Sequence, residues 1–199
     1  MTIAVVLVLG LLIAAGCGNP INRKTAQNYA GAGYQAINAG DWKLAQKNFG
    51  KAIVNAELGG AEPQHMAVLK YEYGRASGVV CDWTNAEAAL KEAFNLDAAN
   101  GGPSYMALYE LGRMHFDRKQ FAKARSYYDQ VYLEFGKVGV ETKDPLGFAQ
   151  YLEEYVVILQ ETGAQQDAMT YQERAAKIRG MFPEGKSPTE KTPYGTQCA

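Results

Sequence analysis

Along most of this chain, apolar and small side chains recur at spacings of three and four, the period of one face of an α-helix. Leu108, Leu111, Gly112 and His115 form one such face. Four times the pattern breaks at a short turn and resumes with an alanine in the same setting, at Ala45, Ala86, Ala124 and Ala168. Two amphipathic helices joined by a turn cannot bury their apolar faces alone, so repeated pairs predict stacked helical hairpins.

The first unit carries Tyr29, Gly33 and Tyr34, then Gly40-Asp41-Trp42 and Ala45, then Phe49, Ala52 and Ile53. The second has Tyr71, Gly74 and Arg75, then Cys81-Asp82-Trp83 and Ala86, then Leu90, Ala93 and Phe94. The third has Tyr109, Gly112 and Arg113, then Lys119-Gln120-Phe121 and Ala124, then Tyr128, Val131 and Tyr132. In the fourth, Leu152, Tyr155, Gly163, Ala168, Tyr171 and Ala175 keep the pattern, while Val156 replaces the glycine and Gln165 the large aromatic.

These residues resemble the tetratricopeptide repeat (TPR) over residues 26–180. The resemblance implies an all-α fold, a right-handed α-α superhelix (TPR-like solenoid) of about four helical hairpins. It implies that Gly33, Gly74 and Gly112 let paired helices approach, and that Trp42, Trp83 and Phe121 wedge between hairpins. Asp41 and Asp82 stand where a carboxylate can accept from the free N–H groups at the start of a second helix.

Successive anchor alanines lie 41, 38 and 44 residues apart, against about 34 in the standard repeat. The extra residues fall after each second helix, in 57–63, 97–103 and 136–145, which are rich in turn formers. Similar lengthening occurs in the kinesin light chain class. The excess either lengthens the helices by a turn or forms loops on one edge, as spacers or as recognition edges.

The N-terminus adds an address. From Ile3 to Ala15 the chain is apolar or glycine over 13 residues, too short for the roughly 20 that span a bilayer as a helix and the length of a secretory core. Ala14-Ala15-Gly16-Cys17 follows, and it resembles the lipobox of bacterial lipoproteins, which implies lipidation at Cys17. The expected layout is a signal peptide over 1–16, a tether over 17–25, the solenoid over 26–180 and a disordered tail over 181–199. Ala14 stands where leucine is usual, and Lys and Arg are absent before the run; a cleaved but non-lipidated signal and an uncleaved anchor are the alternatives. Gly18 after the cysteine implies, by resemblance to Gram-negative lipoproteins, an outer-membrane anchor facing the periplasm. Cys81 and Cys198 remain as an even pair that could form a disulfide in an oxidising compartment; equally, Cys81 could be a small buried apolar residue and Cys198 a tail thiol.

Charge and motifs narrow the chemistry. Twenty Lys and Arg balance 21 Asp and Glu without a basic cluster, which argues against nucleic acid as a partner. The glycines at 31 and 33 sit in a helical segment without a preceding strand, so they form no dinucleotide loop. His65 and His115 belong to no metal or triad motif, and Glu153 and Glu154, as neighbours on a helix, point about 100° apart. No enzyme, cofactor or metal is expected.

The repeated polar feature is Tyr71-Glu-Tyr-Gly-Arg75 and Tyr109-Glu-Leu-Gly-Arg113. In the TPR family this helix lines the concave groove, so Tyr34, Asn38, Tyr71, Arg75, Tyr109, Arg113, Asp117, Glu153 and Gln160 are expected to face it. Tyr and Arg dominate many interfaces, although each Arg could instead pair with the Glu three residues before it. The expected role is a lipid-anchored scaffold for protein or peptide partners, in pilus assembly, outer-membrane biogenesis or cell-wall enzyme complexes by resemblance. A self-assembling or secretion-linked chaperone is the alternative, with an uncovered last hairpin at Met181 and Phe182 as the oligomerising surface.

Overall fold

A computed structural model of the chain describes residues 18–183, 185, 187 and 191–198. The proposed signal segment and Cys17 lie outside the described residues. Within them the protein is a TPR-like helical solenoid, with nine helices and no strand among the described residues. Hairpins form from α1 (Pro20–Asn38) with α2 (Trp42–Leu58), α3 (Pro63–Val79) with α4 (Trp83–Asn100), and α5 (Tyr105–Asp117) with α6 (Phe121–Val138). A short α7 (Val140–Lys143) then leads to α8 (Pro145–Glu161) and α9 (Gln165–Met181).

The four anchor alanines are each 0% exposed. The glycines act as their spacing predicts. A Cβ on Gly33 would lie 2.7 Å from the Phe49 ring, on Gly74 2.7 Å from Leu90, and on Gly112 2.8 Å from the Tyr128 ring. Each turn has one left-handed residue at the same place, Gly40, Cys81, Lys119 and Gly163, at φ of 75, 66, 57 and 81°. Glycine takes this conformation freely and other residues at a cost of roughly 1–2 kcal/mol, so the second and third turns hold local strain.

Second-helix extension absorbs part of the additional residues. Helices α2, α4 and α6 run 17, 18 and 18 residues, so Glu57, Leu58 and 97–100 are helical, and the third excess forms α7. The Asp41 carboxylate accepts from the Leu44 N–H at 2.9 Å, as a cap should. Asp82 does not cap. It accepts instead from Gln46 Nε2 at 2.9 Å, which ties the second hairpin to the first. The wedge aromatics also bridge hairpins, with the Arg75 guanidinium 5.9 Å from the Trp42 ring and Arg118 4.7 Å from Trp83.

On the last hairpin α9 buries Ala168, Ala175 and Ile178 and turns Gln166, Thr170, Glu173 and Lys177 outward, while Met169, Met181 and Phe182 are exposed. One expectation about the C-terminal end is corrected: the tail is not disordered where it is described. Residues 191–198 lie against α3, α4 and α5, where Tyr194 is packed among Ala86, Leu90, Leu111 and Met114 as part of the core.

Candidate functional site

Helices α3, α5 and α8, the first helices of three successive hairpins, present a row of carboxylates and guanidinium groups to one groove. Glu72, Glu110 and Glu154 recur 38 and 44 residues apart, the spacing of their anchor alanines. All three are buried. Arg75 donates to Glu72 at 2.9 Å, and Arg113, 1% exposed, stands 3.5 Å from both Glu110 and Glu154. Each Arg does pair with the Glu three residues before it, but not as an exposed surface pair. Burial works against their charge, yet the carboxylates, Glu110 foremost, hold both guanidinium groups above their ordinary pKa.

Tyrosine hydroxyls satisfy the carboxylates. Tyr109 and Tyr128 donate to Glu154 at 3.2 and 2.6 Å, and Tyr194 donates to Glu110 at 2.7 Å. Burial pushes the pKa of these hydroxyls, and of Tyr71, well up, so they remain protonated donors. Burial likewise raises Glu72, with Arg75 opposing. Two Arg113 nitrogens, Nε and Nη2, are buried without a hydrogen-bond partner, since the distance to Glu154 permits charge attraction but the geometry permits no bond. Arg113 also lines an open cavity of about 370 Å³ with Tyr71, Tyr105, Tyr109, Phe135 and Val138. Buried donors of this kind call for an acceptor.

The tail lies across this groove. Lys191 reaches Asp117 at 3.2 Å and Glu154 at 3.1 Å. Arg75 Nε donates to Thr192 Oγ1 at 2.8 Å, and Thr192 is fully buried. The N–H groups of Gly195 and Gln197 donate to the carbonyls of Gly78 and Val79. Those carbonyls lie in the last turn of α3, where helical partners run out. Gln197 Nε2 donates to Gly40 O in the first hairpin's turn, and Cys198 is bonded to Cys81 with Cα atoms 5.1 Å apart, within the usual range for a disulfide.

The expected groove residues therefore divide. Tyr71, Arg75, Tyr109, Arg113 and Asp117 come together around the tail and the cavity. Tyr34 is 40% exposed at the groove's first-hairpin end, edge-on to Phe49, and Asn38 is exposed. Glu153 is a correction. It is exposed and held by the Arg179 guanidinium at 2.8 and 2.9 Å, because it occupies the Tyr109 position of a hairpin on which no further described hairpin packs. The groove carboxylate of α8 is Glu154, which the repeat spacing from Glu110 marks in the sequence. Gln160 is exposed. His115 is buried, stacked on Tyr127 and bonded to Gln120 at 2.7 Å, while His65 is exposed. Among the described residues no group of three His, Cys, Asp or Glu side chains could hold a metal ion, and no helix is long and apolar enough to cross a membrane.

No family model and no curated protein matches this chain in sequence. In structure it is similar to BtubC (BKLC) from P. vanneervenii, with TM-score 0.73 and 15% identity over 83% of this chain and 67% of that one. It is also similar to MamA, with TM-score 0.60 and 18% identity over 80% of this chain and 81% of that one. Both are TPR-like helical solenoids, and likeness at this identity establishes the fold.

Proposed function

We propose that this chain is a non-catalytic, lipid-anchored adaptor that binds protein partners in the bacterial cell envelope. The observation that carries the reading is a groove of repeated Glu, Arg and Tyr side chains holding an extended segment, residues 191–198, by side-chain and backbone contacts. A surface that orders one extended segment has the donors, acceptors and apolar pocket to order another. The Cys81–Cys198 disulfide supports an oxidising compartment, consistent with a periplasm-facing location. Acyl chains on Cys17 would hold the array at the outer membrane while the groove engages a partner involved in pilus assembly, outer-membrane biogenesis or cell-wall enzyme complexes. Met169, Met181 and Phe182, exposed on the last hairpin, are the surface on which the second reading, self-assembly, rests.

Cross-linking in intact envelopes tests the binding reading. With the Cys81–Cys198 bond reduced by a dithiol, wild-type protein should capture partners that Arg75→Ala captures about tenfold less, with melting temperature confirming that the variant is folded; undiminished capture refutes the groove. Fractionation tests the anchor separately. Cys17→Ser should move the protein from membrane to soluble fractions, and unchanged retention sinks lipidation at that residue.

A further inference from the structure

The chemistry of a groove is defined by what it accepts, and here an occupant is in place. Around the tail, the receiving side chains Glu72, Glu110, Asp117 and Glu154 outnumber Arg75 and Arg113 by two charges, and Lys191 answers that excess at 3.1 and 3.2 Å. Its ammonium also lies 5.1 Å from the Phe116 ring. Three residues on, Tyr194 drops into a pocket of Ala86, Leu90, Leu111 and Met114 with its hydroxyl on Glu110 at 2.7 Å. The floor of that pocket is Gly78, where a Cβ would come within 2.5 Å of the ring. Of the remaining contacts, the Gly195 and Gln197 N–H bonds to the end of α3 demand no particular side chain, while Thr192 Oγ1 accepts from Arg75 and Gln197 Nε2 donates to Gly40 O.

We propose that this groove recognises an extended peptide segment carrying a lysine and, three residues on, a tyrosine, and that residues 191–198 are its built-in occupant, latched by the Cys81–Cys198 disulfide. The inference rests on the adaptor reading and names the partner's chemistry. While the latch is closed, the tail cannot leave and an external segment finds the site filled. A dithiol reductant opens it: the two reductant thiols become a disulfide, and their two electrons and two protons convert the Cys81–Cys198 bond into two thiols. The freed tail still competes from the same chain at an effective concentration of order mM. A partner segment must therefore be presented at comparable local concentration or bind more tightly, and the neighbouring cavity, which Arg113 and Ser187 line and residues 191–198 do not, offers contacts beyond those of the occupant.

The test uses a fluorescent peptide, Lys-Thr-Pro-Tyr-Gly-Thr-Gln, and fluorescence anisotropy on the full chain. Dithiol-reduced wild type and Cys198→Ser should bind it at least about tenfold more tightly than oxidised wild type. The doubly changed Cys198→Ser, Tyr194→Ala chain, whose own tail is weakened, should bind it more tightly still. Peptides with Lys or Tyr replaced by Ala should lose about tenfold, the equivalent of one buried anchor. Equal binding to oxidised and unlatched protein, binding indifferent to both replacements, or no binding to any unlatched form at mM peptide overturns the proposal. Reduced wild type carries no substitution, so a folding defect cannot mimic failure. If the peptide fails while Arg75-dependent partners are still captured in the envelope, the recognition rule falls and the adaptor reading stands; peptide binding without captured partners has the reverse meaning.

Discussion

Gly78 shows how much one missing side chain decides. With the Tyr194 ring 2.5 Å from where its Cβ would stand, Gly78→Ala should expel the ring and loosen the tail, although helix propensity alone favours alanine by about 0.5–1 kcal/mol. Hydrogen exchange at the Gly195 and Gln197 amides, which donate to Gly78 and Val79, should accelerate at least tenfold. Retained protection would mean that the ring is not what seats the segment. His115 gives a pH signature. Burial, the largest effect, holds its pKa below the ordinary value, with Lys123 and Arg118 acting in the same direction and Gln120 and Glu87 opposing. The unfolded chain then takes up a proton below about pH 6.5 that the folded one resists, so this residue's contribution to stability is complete above that pH and declines as pH falls through the window beneath it. Melting temperature should drop from pH 7.5 to 5 less steeply in His115→Gln than in wild type. The comparison between the two proteins isolates His115 from Glu72 and Asp117, whose burial-raised pKa values act with the opposite sign.

At the scale of the elements, the helices were legible because period and anchors are local to each hairpin. Gly112 is the sharpest case. Its Cβ would meet a Tyr128 ring that is fully buried, stacked on Tyr151 at 5.1 Å and held by its hydroxyl on Glu154, so the ring cannot yield. Gly112→Ala should destabilise by about 1–3 kcal/mol. Gly136→Ala, whose Cβ meets nothing within 4 Å on the exposed side of α6, should instead stabilise by up to about 1 kcal/mol. Urea unfolding of the two variants checks the contrast. The fourth hairpin, lacking the glycine, packs by another route: Tyr128, Phe135, Phe148, Tyr151 and Tyr155 join in one aromatic cluster between α6 and α8. Two of those tyrosines, Tyr128 and Tyr155, stand at repeat positions that the sequence itself marks. Asp82 is the opposite case, an N-cap residue by position that a glutamine from the preceding hairpin takes over.

For the whole molecule, the disulfide joins residues 117 apart and ties the tail to the second hairpin's turn. Reducing it should lower stability by about 2–4 kcal/mol if loop entropy dominates, measured by urea unfolding with and without dithiol; an unchanged midpoint would show that the tail is held by its other contacts alone. The sequence by itself determined the hairpins, the anchor alanines, the packing glycines and the groove tyrosines and arginines. Each follows from spacing within one unit, and helical period transmits spacing directly into a shared face. Only the tertiary structure decided that Cys81 and Cys198 pair and that residues 191–198 fill the groove. Those outcomes depend on surfaces that distant segments make together. A short polar stretch with one lysine and one tyrosine has no period to announce where it will dock, and it is ordered because four helices have already built the carboxylates and the pocket that receive it.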